Sequence, residues 1–123
     1  MKRYLFLKDE ENKGLISNLE RQPVYDLKGP DGKRVCRYIA DFKYLRKGRQ
    51  VVEDYKGAIT PVFRLKLALW ASNYPEQPLS VVGWDPLKQH RCFRPYQDII
   101  KDRQARRKAK KQARKVRLKN AGL

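Results

Sequence analysis

The chain has 123 residues, room for one domain rather than two, and its 41% hydrophobic content excludes a chain that is disordered throughout. Its formal charge is +17, and eleven Lys or Arg against one Asp in residues 101–119 put +10 of that in the tail, leaving +7 for the rest. A field of this sign, without a lipid-seeking aromatic face on the tail, points to nucleic acid rather than a membrane as partner.

The chain opens with a short helical piece carrying Tyr4, Leu5 and Leu7, with Asn12 and Gly14 as its end. Leu15, Ile16 and Leu19 return to apolar contact. Val24–Leu27 reads as the first strand after Pro23. Gly29-Pro30-Asp31-Gly32 turns the chain into a second strand over Arg34–Tyr44, where apolar and polar residues alternate. Lys47-Gly48 turns it again into a third, Gln50–Lys56, stopped by Gly57. Thr60 reads as an N-cap and Pro61 as the first helical residue. Phe63, Leu67 and Trp70 recur at helical spacing up to Asn73. A short apolar strand follows over Leu79–Val82. Trp84–Pro95 reads as a connector without periodicity. From Tyr96 the chain reads as one long basic helix, with Ala105, Ala109 and Ala113 as a small-residue stripe. The expected organisation is a core over residues 1–84, a connector over 85–95 and a basic arm over 96–123.

Chemistry concentrates on the second and third strands. Side chains alternate along a strand, so Asp54 and Lys56 share a face while Glu53 and Tyr55 share the other. Asp41 on the neighbouring strand would converge on Asp54. Two carboxylates side by side need a cation, and Mg²⁺ (or Mn²⁺) suits a few carboxylate oxygens plus waters and a phosphate. A Lys beside them can activate a water or offset phosphoryl charge. Glu53, facing away, reads either as a surface charge or as a helper. Lys66 reads first as a solvated helix residue, Gln22 as a group satisfying buried backbone, His90 as a surface residue, and Trp70 and Trp84 as core. Arg103, Arg106, Arg107, Lys110, Lys111, Arg114 and Lys115 would grip nucleic-acid backbone. Cys36 and Cys92 form no CxxC pair, which argues against a zinc site. The N-terminal apolar patch is too short for a signal peptide and no apolar run could span a bilayer, so a cytoplasmic protein with reduced thiols is expected.

These residues carry a resemblance. Tyr38-Ile39-Ala40-Asp41-Phe42, Val51-Val52-Glu53-Asp54-Tyr55-Lys56-Gly57 and Thr60-Pro61-Val62-Phe63-Arg64-Leu65-Lys66, preceded by Ile16–Pro23, resemble the PD-(D/E)xK nuclease superfamily. Within it they resemble a phage-associated family of uncharacterised proteins. The resemblance implies a restriction-endonuclease-like αβββαβ core with a mixed sheet. It also implies an endonuclease that hydrolyses DNA, ahead of RNA, with Mg²⁺. Asp41 and Asp54 would be metal ligands, Lys56 the catalytic lysine, and Gln22 and Lys66 polar residues lining the site. Resolvases share the implied fold and work as dimers, so a homodimer cutting branched DNA in the host cytoplasm is one implied form. A nuclease-like protein that only binds nucleic acid is the alternative. Relatives carry a Glu one turn before the position of Tyr4, a place that falls ahead of Met1. Either the chain starts upstream of Met1, the site works without that Glu, or Glu10 or Glu11 replaces it.

Overall fold

Apolar residues at positions 7, 16, 42 and 44 gather into one buried cluster, and those at 27, 38, 40, 52, 63 and 70 into another, on opposite sides of a sheet. The structure, a computed structural model, describes residues 2–87 and 90–122. Its elements are α1 (Lys2–Asn12), β1 (Ser17–Arg21), β2 (Val24–Lys28), β3 (Arg34–Ile39), β4 (Phe42–Arg46), β5 (Arg49–Tyr55), α2 (Pro61–Asn73), β6 (Leu79–Asp85), β7 (Cys92–Pro95) and α3 (Tyr96–Asn120). A five-stranded mixed sheet has the order β1-β4-β5-β6-β7, and β2-β3 form a separate two-stranded sheet. β5 and β6 are parallel; the other neighbours are antiparallel. Hairpin and β7 aside, the main sheet is traced as helix, three antiparallel strands, helix, one parallel strand.

The strand expected over Arg34–Tyr44 is two strands. The ribbon formed by β1–β2 and β3–β4 bends at Gln22-Pro23 and Ala40-Asp41. There the Gln22 N–H donates to the Asp41 carbonyl at 2.9 Å and the Ala40 N–H to the Pro23 carbonyl at 3.1 Å. Gln22 takes a positive φ of 53° and Pro23 withholds an N–H, which favours a bend over a continuous ladder. Alternation of apolar residues runs through the bend unbroken. Tyr38 and Ala40 therefore enter the cluster under α2, while Phe42 and Tyr44 enter the one under α1. The strand Ser17–Arg21, which carries little apolar patterning, completes the sheet edge against β4.

α2 begins as its sequence predicts. Thr60 Oγ1 accepts from the Phe63 N–H at 3.1 Å, and Pro61 occupies the first turn. The helix buries Phe63 and Trp70 on the sheet, and the Trp70 indole donates to the Gln77 carbonyl at 2.6 Å. α1 covers the other face with Arg3 and Leu7, one turn apart. The stretch expected as a connector contains β7, which pairs with β6 and delivers α3 back onto the sheet. Gly83 permits that docking: a Cβ there would lie 3.1 Å from Ile99, 3.2 Å from Tyr96 and 3.4 Å from the Lys56 carbonyl. Beyond Asp102 every residue of α3 is exposed. No helix of the described residues is long and apolar enough to cross a membrane.

Candidate active site

β5 carries Glu53, Asp54 and Tyr55 at its C-terminal end, and pleat alternation splits them between the two layers. Asp54 turns toward α2 and the hairpin and is 2% exposed. Its Oδ2 accepts a short hydrogen bond from the Tyr38 hydroxyl and lies 3.4 Å from Lys56 Nζ. Lys56 is a third exposed and rests 4.5 Å above the Phe63 ring, an apolar shelf that holds the ammonium beside the carboxylate.

Asp41 is not on a strand. It occupies the bend between β3 and β4, where its N–H donates to the Glu53 carbonyl at 3.1 Å. Its Oδ2 accepts from the Tyr55 N–H at 2.7 Å, which aims the carboxyl at β5. Asp41 acts on the Asp54 carboxyl as a neighbouring like charge. Burial and Asp41 together push the Asp54 carboxyl up to about 6, against the opposing pull of the Tyr38 hydroxyl and the Lys56 ammonium. Burial and Asp54 in turn raise the Tyr38 phenol far above its ordinary value, so that it stays a donor.

The donor set fits a hard divalent cation. It offers two carboxylates drawn together despite like charge. Oδ2 of each is used by protein donors, and Oδ1 of each accepts from none among the described residues. Asp54 opens on a cavity of about 280 Å³ lined also by Tyr38, Lys56, Phe63, Arg37 and Lys66 among others, with Asp41 set behind it rather than in the lining. Lys66, read from sequence as a solvated helix residue, therefore joins the site. Gln22 does not line this cavity: it is exposed, and its backbone, not its side chain, holds Asp41. Gly57 stands in open space, with nothing for a Cβ to meet within 4 Å. Tyr38 is the member that sequence reasoning missed. The signal was a buried strand tyrosine, whose hydroxyl requires a partner.

Glu53 is neither a surface charge nor a helper at this site. It is fully buried on the α1 side, where Arg3 grips it through two contacts of 2.6 Å and the Tyr44 hydroxyl donates at 2.7 Å. Burial works to lower the Arg3 pKa, but Glu53 overrides it and the net shift is upward. Burial and Glu53 push Tyr44 up to about 12. Glu10 pairs with Arg46 and Glu11 with Lys8 and the Leu19 N–H, so both are occupied with tying α1 to its surroundings.

A second polar cluster joins Asp85, His90 and Asp102, whose ligand atoms lie within 4.8 Å of one another. Arg94 already fills its centre, 2.6 Å from Asp85 Oδ2 and 2.8 Å from Asp102 Oδ2. Burial works to raise the Asp85 pKa, but His90, the Leu87 N–H and Arg94 prevail and hold it well below the usual carboxylate range. The cluster is a cross-brace that fastens α3 to β6 and β7. His90 is thus a structural partner of Asp85 rather than a free surface residue. Of the two tryptophans, Trp70 is core, whereas Trp84 is 39% exposed. The seven basic residues expected to grip nucleic acid, from Arg103 to Lys115, are all exposed on α3.

No curated protein and no solved structure matches the chain. A family model described as "Protein of unknown function (DUF1064)" matches residues 1–86, the span from α1 through β6 that holds Tyr38, Asp41, Asp54, Lys56 and Lys66, and the chain belongs to that family.

Proposed function

We propose that this protein is a Mg²⁺-dependent endonuclease of the PD-(D/E)xK kind that hydrolyses DNA phosphodiester bonds. The observation that carries the reading is the buried Asp54 carboxyl beside Asp41, with Lys56 Nζ 3.4 Å away, where Asp54 and Lys56 face an open cavity also lined by Arg37 and Lys66. The trace of the main sheet, helix–three antiparallel strands–helix–parallel strand, supports the same reading.

Asp41 and Asp54 would hold the cation. Mg²⁺ (or Mn²⁺) supplies Lewis acidity toward a phosphate oxygen when bound. Tyr38 fixes the Asp54 rotamer, and the Tyr55 N–H fixes Asp41. Lys56, held over Phe63, stands where it can orient a water for in-line attack and offset charge building on phosphorus. Arg37 and Lys66 at the rim meet the flanking phosphates.

The test is cleavage of plasmid, linear, branched and single-stranded DNA by purified protein with Mg²⁺ or Mn²⁺. Cutting that Asp54→Ala or Lys56→Ala abolishes, with DNA binding intact, is the expected result. Tight binding without cutting on all four substrates would instead favour a nuclease-like protein that only binds nucleic acid.

A further inference from the structure

α3 sorts its cations by type around its circumference. At about 100° per residue, all five of its arginines (Arg103, Arg106, Arg107, Arg114 and Arg117) fall with Lys110 inside an arc of about 100°. The other lysines, Lys101, Lys108, Lys111, Lys115 and Lys119, fall on a separate arc of about 80°. Ala105, Ala109 and Ala113 occupy the remaining side. Solvation alone asks for charge but not for this segregation.

The helix is also rooted beside the candidate site. Val52, Asp54, Val81 and Gly83 share one face of the sheet by alternation and register. On that face Ile99 and Tyr96 pack on Gly83, whose other neighbour is the Lys56 carbonyl. Ile99 lies on the same arc as the arginine row, so the row continues the line by which α3 seats on the body. From Tyr96 to Arg117 the helix rises about 30 Å, the length of roughly nine base pairs.

From these observations we infer that α3 is an arm that grips duplex DNA through its arginine row, on DNA running away from the phosphate presented to Asp54. The inference rests on the nucleic-acid partner of the proposed function. Charge selects the partner: eleven cations over residues 101–119 give roughly one net positive charge per 3 Å of helix, of the order of the charge density of DNA. Arginine forks suit phosphate oxygens and guanine edges better than lysine does. Beyond Tyr96 the helix has no aromatic residue on which unpaired bases could stack, which disfavours single strands. A bare helix about 10–12 Å across fits the major groove of B-form DNA but not the deep, narrow groove of duplex RNA.

Binding measured in EDTA separates this inference from catalysis. Fluorescein-labelled duplex DNA of 10, 20 and 30 base pairs would be titrated by anisotropy beside duplex RNA and single-stranded DNA of equal lengths. Two exposed triple variants remove equal charge: Arg106→Ala/Lys110→Ala/Arg114→Ala on the arginine row, and Lys108→Ala/Lys111→Ala/Lys115→Ala on the lysine row. Affinity should rise from 10 to 20 base pairs and favour duplex DNA over both other polymers. The arginine-row variant should lose on the order of 30-fold or more, with a salt slope shallower by about 3. The lysine-row variant should lose several-fold less. Equal losses from the two rows, or equal or tighter binding of RNA or single strands, overturn the inference. Binding that meets these expectations without any cleavage when Mg²⁺ is restored would sink the nuclease reading alone. Cleavage with row-independent binding would sink the arm alone.

Discussion

Glu53 and Asp54 are consecutive, acidic and buried, yet they occupy opposite kinds of site. On the α1 side, Glu53 meets a guanidinium in two places and a phenol, so its charge is matched by donors and a cation. Across the sheet, Asp54 meets a phenol, an ammonium at 3.4 Å and a second carboxyl. A buried carboxylate with complete partners holds a fold together; one set against another carboxylate holds a place for a proton or a cation. Pleat alternation alone decides which of the two neighbours takes which role. Substitutions on either side of the sheet test this difference.

The largest effect expected is on cleavage. Asp54→Asn should reduce it by a factor of about 10³ or more, while Glu53→Gln leaves the kcat of the folded fraction within several-fold. Next is stability on the α1 side. Arg3→Ala strands the Glu53 charge in the core and should lower unfolding free energy by about 3–5 kcal/mol in urea melts, with Glu53→Gln less costly. Asp54→Asn should not share that cost: removing a like charge should leave metal-free protein as stable as wild type at pH 7 or more so. A loss of several kcal/mol there would contradict the contrast.

Acidity gives a smaller effect with a defined sign. The folded-state pKa of Asp54 is raised from 3.8 to about 6, so the folded protein holds a proton that the unfolded chain releases. Its contribution is fully present below about pH 4 and is lost as pH rises to about 6, a change of at most about 3 kcal/mol. Urea melts between pH 4 and 7 should show this fall in metal-free wild type and not in Asp54→Asn. Mg²⁺ added at pH 7 should raise the melting temperature of wild type only. Smallest is Tyr38→Phe, which removes one donor from Asp54. It should shift stability by about 1 kcal/mol in melts and leave the fold intact, as read by circular dichroism.

Several features needed only the sequence, because their causes are local. Thr60-Pro61 starts α2 through one hydroxyl and one ring, and the basic run after Tyr96 is helical over Tyr96–Asn120. Alternation along Gln50–Lys56 puts Asp54 and Glu53 on opposite faces whatever their partners. Tertiary structure decided the rest, because those causes lie far along the chain. The bend at Asp41 depends on Gln22 and Pro23, about twenty residues away, and apolar alternation passes through it unchanged. Glu53 became a core ion pair because Arg3, fifty residues earlier, crosses to it from α1. β7 offers too short a pattern to be read, and pairs because β6 presents an open edge. The pairing of Asp41 with Asp54 stands between these cases. Sequence supplied both carboxyls and the face of one; only the fold, by bending a strand and lending a Tyr55 N–H, turned the other toward it.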